Sequence, residues 1–106
     1  MTAKRLNSGW TLLGTSTGSN SVNYNLAGYT ELMLVAKASS FINTATIMTE
    51  DLNASLTECR CGSYRATGGR WTFCSFQVAT TKAYIGAYDA DGTALTSSAT
   101  LKVYAR

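Results

Sequence analysis

The residues best equipped for chemistry are three cysteines, confined to the stretch Cys59-Arg60-Cys61-Gly62-Ser63-Tyr64-Arg65-Ala66-Thr67-Gly68-Gly69-Arg70-Trp71-Thr72-Phe73-Cys74. Clustered thiols suggest a zinc site, a disulfide or reduced core packing. A structural zinc site needs a tetrahedral ligand set and a turn between paired cysteines. Cys59-x-Cys61 is too tightly spaced for such a turn, and the chain has no histidine and no fourth cysteine. A Cys61–Cys74 disulfide would leave Cys59 odd. The favoured reading is three reduced thiols packed as small hydrophobes, with no metal and no cofactor.

The lack of histidine also removes the commonest general base and every Ser-His or Cys-His nucleophile arrangement. The carboxylates are Glu31, Glu50, Asp51, Glu58, Asp89 and Asp91. Two carboxylates can work as an acid and base pair, but Glu50-Asp51 and Asp89-Ala90-Asp91-Gly92 fall in turn-like clusters, where such side chains hydrogen-bond their own backbone. Asp89-x-Asp91-Gly92 lacks the further oxygen ligands of a calcium loop. Gly68-Gly69 precedes no helix that could bind phosphate. The expectation is a protein that is not an enzyme.

Composition narrows the class further. The 106 residues are 45% hydrophobic and 14% charged, which fits one ordered domain spanning the whole chain. Nine basic and six acidic residues give a net charge of +3, thin for a dedicated nucleic-acid binder. No apolar run reaches membrane-spanning length, and the N-terminus lacks the apolar run of a signal peptide. The expected site of synthesis is therefore a cytoplasm. Small neutral polar residues dominate the remainder, a surface suited to packing against copies of itself.

The elements that must position these residues read as strands. Period-two alternation recurs between short Gly, Asn, Ser and Thr clusters. Candidate strands cover Trp10 to Gly14, Val22 to Leu26, Glu31 to Ala38, Thr44 to Thr49, Thr57 to Arg65, Arg70 to Val78, Ala83 to Tyr88 and Thr100 to Arg106. The Glu31 to Ala38 run is apolar on both faces, as expected of a central or doubly covered strand. Asp91-Gly92 marks a tight turn with glycine at positive φ. About eight short strands predict an all-β fold, an antiparallel β-sandwich of jelly-roll-like type.

Within that fold the cysteine stretch becomes a hairpin. Closure on Gly68-Gly69 sets Cys61 opposite Phe76; closure on Ala66 to Gly69 sets Cys61 opposite Cys74. The second register puts Arg65 against Arg70, so the first is favoured. Both share one parity, with Cys59, Cys61, Cys74, Phe76 and Val78 on one face and Arg60, Tyr64, Trp71, Phe73 and Ser75 on the other. Arg60, Tyr64, Trp71 and Phe73 form the candidate ligand site if their face is the solvent side. Aromatic bulk equally suits a core, so the sequence leaves the buried face open.

Three further segments carry a resemblance. Gly9-Trp10-Thr11-Leu12-Leu13-Gly14-Thr15-Ser16-Thr17-Gly18, Leu26-Ala27-Gly28-Tyr29-Thr30-Glu31-Leu32-Met33-Leu34-Val35 and Ser98-Ala99-Thr100-Leu101-Lys102-Val103-Tyr104-Ala105-Arg106 resemble the small β-sandwich domains at the distal ends of phage and prophage tail proteins. The resemblance implies a virion component that forms a homo-oligomer, often a trimer. Its partners would be other phage structural proteins and a bacterial surface saccharide. Two alternatives stand beside it: a stand-alone carbohydrate-binding module with Tyr64 and Trp71 as sugar platforms, and a single-stranded nucleic-acid binder using Arg60, Arg65, Arg70 and Trp71.

Overall fold

The computed structural model describes residues 9–65 and 69–106, apart from the side chains of residues 63–65 and 70. Among the described residues there are nine strands: β1 (Thr11–Thr17), β2 (Val22–Asn23), β3 (Glu31–Ala38), β4 (Phe41–Met48), β5 (Thr57–Arg65), β6 (Arg70–Val78), β7 (Lys82–Ala90), β8 (Thr93–Ala94) and β9 (Thr100–Ala105). They form two antiparallel sheets packed face to face, an all-β sandwich as expected. One sheet runs β1-β9-β3-β4 and the other β2-β7-β6-β5, with β8 added to β7. Among the described residues no helix is long and apolar enough to cross a membrane.

Alternation decides which side chains meet between the sheets. On β3, Leu32, Leu34, Ala36 and Ala38 are buried, while Met33 and Val35 are half-buried on the outer side. The strand lies between β9 and β4, the central placement its sequence predicts. Leu101, Val103 and Ala105 of β9 join the same layer, and Phe76, Val78, Ile85 and Tyr88 face it from the second sheet. The two ends of the domain are tied together. Arg106 stacks over the Trp10 ring at 4.2 Å from its centroid, and its Nε donates to Glu31 Oε1 at 2.7 Å.

The β5–β6 hairpin corrects one expectation. Arg65 pairs with Arg70, Tyr64 with Trp71 and Cys61 with Cys74, so four residues close the hairpin rather than Gly68-Gly69 alone. Gly68 itself lies outside the described residues. Repulsion between two cations in water is screened and weak, so pairing Arg65 with Arg70 costs the register little. The adopted register sets Gly62 opposite Phe73, where the β5 backbone lies so close to the Thr72 carbonyl that a Cβ would collide with it. Only glycine fits that position, and only this register places a glycine there.

A bulge on β7 completes the inner layer. Phe76 pairs with Ile85, but the next β6 residue, Ser75, pairs with Ala87, leaving Gly86 as the extra residue. The inserted residue switches the parity of the strand. Ile85 and Tyr88, three positions apart, therefore both point inward and are fully buried.

The Tyr88 hydroxyl is buried without a protein hydrogen-bond partner. It lies near the thiols of Cys74 and Cys61, and burial pushes its pKa up to about 12. An unmade buried hydroxyl contributes nothing that a ring hydrogen would lose. Tyr88→Phe is therefore expected to leave thermal stability unchanged or raise it by up to about 1 kcal/mol. A clear fall in melting temperature would show that the hydroxyl is bonded in solution.

Candidate binding face

The face left open by sequence is settled by β7. On β6 the inward residues Cys74, Phe76 and Val78 sit beside Tyr88, Ile85 and Ala83, whereas Phe73, Ser75 and Gln77 sit beside Asp89, Ala87 and Tyr84. The strand with the stronger apolar row on one side thus turns the cysteine face into the core. Arg60, Trp71 and Phe73 face outward, away from the first sheet.

All three cysteines are free thiols, Cys74 fully buried and Cys59 and Cys61 half-buried. Burial is the leading cause that raises every one of their pKa values above the ordinary 9.0. Among the described residues no cluster of three or more His, Cys, Asp or Glu is placed to hold a metal ion. The raised values have a stability consequence with a definite sign. Unfolded chains release thiol protons near the ordinary value while the folded chain keeps them, so the unfolded state binds fewer protons in that window. The thiol contribution is whole below about pH 8.5 and is lost progressively as pH rises through and beyond 9. In reducing buffer, the urea midpoint should fall between about pH 8.5 and 10.5. A midpoint constant across that range would mean that the thiols titrate in the fold as they do in water.

On the outer side, Arg60, Gly62, Trp71, Phe73 and Asp89 line an open groove of about 700 Å3. Each is held for a local reason. Trp71 is locked at the end of β6 by two bonds to the β7–β8 turn: its N–H donates to Asp91 Oδ1 at 2.8 Å, and its carbonyl accepts from the Asp91 N–H at 3.0 Å. That turn is made by Asp91 at φ 51° and Gly92 at φ 84°, the tight glycine turn its sequence predicts. Phe73 lies behind Trp71 on the same face, half-buried and directly opposite Gly62, which offers no side chain to cover its ring.

Arg60 forms the opposite rim. Its Nε donates to Glu58 Oε1 at 3.1 Å, and Glu58 Oε2 accepts from the Ser75 hydroxyl on the neighbouring strand. The Ser75 bond, followed by Arg60, holds the Glu58 carboxyl below its ordinary value and so keeps it charged. The Arg60 side chain remains 71% exposed, with its guanidinium anchored at the base and presented to solvent. Asp89 brings a carboxylate to the floor beside Phe73.

Of the four residues expected from sequence, three come together here: Arg60, Trp71 and Phe73. Tyr64 pairs through its backbone with Trp71, but its side chain lies outside the described residues. Asp89 was not foreseen, because Asp89-Ala90-Asp91-Gly92 reads as a turn. The readable signal was Gly86 within a strand pattern, which marks a bulge. The bulge extends β7 to Ala90 and aims Asp89 outward.

The groove therefore combines two aromatic faces, a fixed guanidinium and a carboxylate, on a wall of rigid strands. An aromatic face accepts the C–H face of a sugar ring, while Arg and Asp offer donors and acceptors to its hydroxyls. Compared with known proteins, the chain matches no family model, no curated protein and no solved structure.

Proposed function

We propose that this chain is a non-enzymatic recognition domain that binds a saccharide across Trp71 and Phe73, with Arg60 and Asp89 as its polar partners. The observation that carries the reading is the outward placement of this half-buried aromatic pair beside a guanidinium and a carboxylate, on the side of the sheet away from the core. Ligand sites of this kind join apolar surface to a few well-placed polar groups. The resemblance of Gly9–Gly18, Leu26–Val35 and Ser98–Arg106 to phage and prophage tail domains supports a role in a virion, with a bacterial surface saccharide as the ligand.

Single-stranded nucleic acid is the weaker alternative for the same face. Bases also stack on aromatic rings, but the Asp89 carboxylate lines the groove and repels phosphate. Titration with oligosaccharide fragments of bacterial surface polysaccharide, followed by backbone NMR, tests the proposal. Shifts concentrated at residues 60–62, 71–73 and 89 support it. Shifts that appear only with oligonucleotides, and vanish with added salt, would replace it with the nucleic-acid reading.

A further inference from the structure

An unpaired sheet edge invites another strand, and folded proteins blunt such edges by shortness, bulges or charge. Three of the four edges here carry such a device. The β2 edge is two residues long. The β1 edge has its register broken between Leu12 and Gly14. The β5 edge carries Glu58, Arg60 and Arg65. The remaining edge, β4, has none: Phe41-Ile42-Asn43-Thr44-Ala45-Thr46-Ile47-Met48 holds no charge, proline or glycine. Its eight residues pair one for one with β3 without a bulge, and among the described residues no strand pairs with its other side.

The strand also exposes two of its large apolar side chains. Ile42 is 62% exposed and Met48 is 44% exposed, both on the outer face of the sheet. From these observations we infer that β4 is a self-association edge, pairing antiparallel with β4 of a second copy about a two-fold axis. The inference is independent of the saccharide groove, which lies on the other sheet.

The sequence of the strand selects one register. Side chains on one face must oppose side chains on the same face. With Ala45 on the axis, Ile42 of each copy meets Met48 of the other, and Thr44 meets Thr46. Both exposed apolar side chains are then covered, and the threonines form cross-strand pairs. Sliding by two residues one way sets Ile42 against Glu50; sliding the other way sets Met48 against Ser40. On the exposed outer face, either shift leaves both Ile42 and Met48 facing polar residues. The chosen register brings no like charges together, because β4 carries none. The product is one continuous sheet of eight strands across two copies, closed by its own symmetry.

A single edge contact is small beside a standard interface, so the dimer should populate at concentrations on the order of 10–100 µM. Sedimentation velocity on the intact chain tests this. The expected result is a reversible monomer–dimer equilibrium in that range. The double variant Ile42→Lys/Met48→Lys places lysine opposite lysine and should be monomeric, with an unchanged circular dichroism spectrum. Ile42→Lys/Met48→Glu should restore the dimer, because each lysine then meets a glutamate. Ala45→Cys, treated with oxidised glutathione, should give a disulfide-linked dimer whose peptide map joins residue 45 to residue 45.

A wild-type chain that stays monomeric to several hundred micromolar overturns the inference. So does a wild-type trimer, a Lys/Lys variant that still dimerises, or a cross-link map without the 45–45 pair. Loss of dimer without loss of saccharide shifts, or the reverse, separates this inference from the proposed function.

Discussion

Trp71→Ala is expected to weaken saccharide binding by roughly thirty-fold, about 2 kcal/mol, the usual scale for a tryptophan anchor at a binding hot spot. The indole is half-buried rather than free, and its backbone is bonded to Asp91 on one side and registered with Tyr64 on the other. Its backbone is therefore placed before the ligand arrives, and half-burial limits the freedom the ring loses on binding. The substitution leaves those backbone bonds in place. Stability should consequently change far less than affinity, and circular dichroism should be unaltered. Trp71→Phe should recover part of the affinity, because a smaller ring still offers an apolar face. Isothermal titration of the three proteins checks the series. Equal affinity for wild type and Trp71→Ala would remove the indole as a platform and move the site elsewhere.

The largest effect on the fold is expected from Gly62→Ala. A methyl group at this position would run into the Thr72 backbone carbonyl and crowd the Phe73 Cα at 3.1 Å. Those obstacles are main chain of a paired central strand, so neither can rotate away as a long side chain would. Overpacking of this kind costs about 1–3 kcal/mol, and the hairpin must also open locally to admit the methyl. For a domain of this size each kcal/mol moves the melting temperature by roughly 4–8 °C. A fall on the order of 10–20 °C is thus expected. Gly69→Ala, where a Cβ meets nothing but the backbone is at φ 62°, should cost less, on the order of 1 kcal/mol. If Gly62→Ala melts like wild type, the close approach of β5 to β6 is wrong.

The two expectations concern one strand pair and explain each other. Gly62 lets β5 lie tight against β6, and its missing side chain leaves Phe73 with nothing directly opposite it on β5. The same residue sets the hairpin register and opens the groove. A larger residue there would cover the ring as well as strain the backbone.

Much of this architecture was legible from residue order alone. Alternation placed β5 and β6 to the residue, found β3 and its central position, and separated Cys59, Cys61 and Cys74 from Arg60, Trp71 and Phe73. Those results depend only on the two-residue period of a strand, which needs no knowledge of neighbours. Turn chemistry did the same at Asp91-Gly92, where backbone preference is local. β4 was foreseen three residues too short at its start, because Phe41-Ile42-Asn43 shows no clean alternation until β3 is present to pair with it.

What the chain order left undecided required contacts between strands. The register of the β5–β6 hairpin depends on the backbone contact between its two strands, and its buried face is not a property of two strands in isolation, since both faces carry apolar residues. The register was settled by the contact of Gly62 with the β6 backbone. The buried face was settled by β7, whose bulge at Gly86 turns both Ile85 and Tyr88 inward beside Phe76 and Cys74. That same bulge carried Asp89 out to the groove. The cysteines became core and the aromatics became surface because packing against β7 and the opposite sheet favours one face of a hairpin that local pattern leaves balanced.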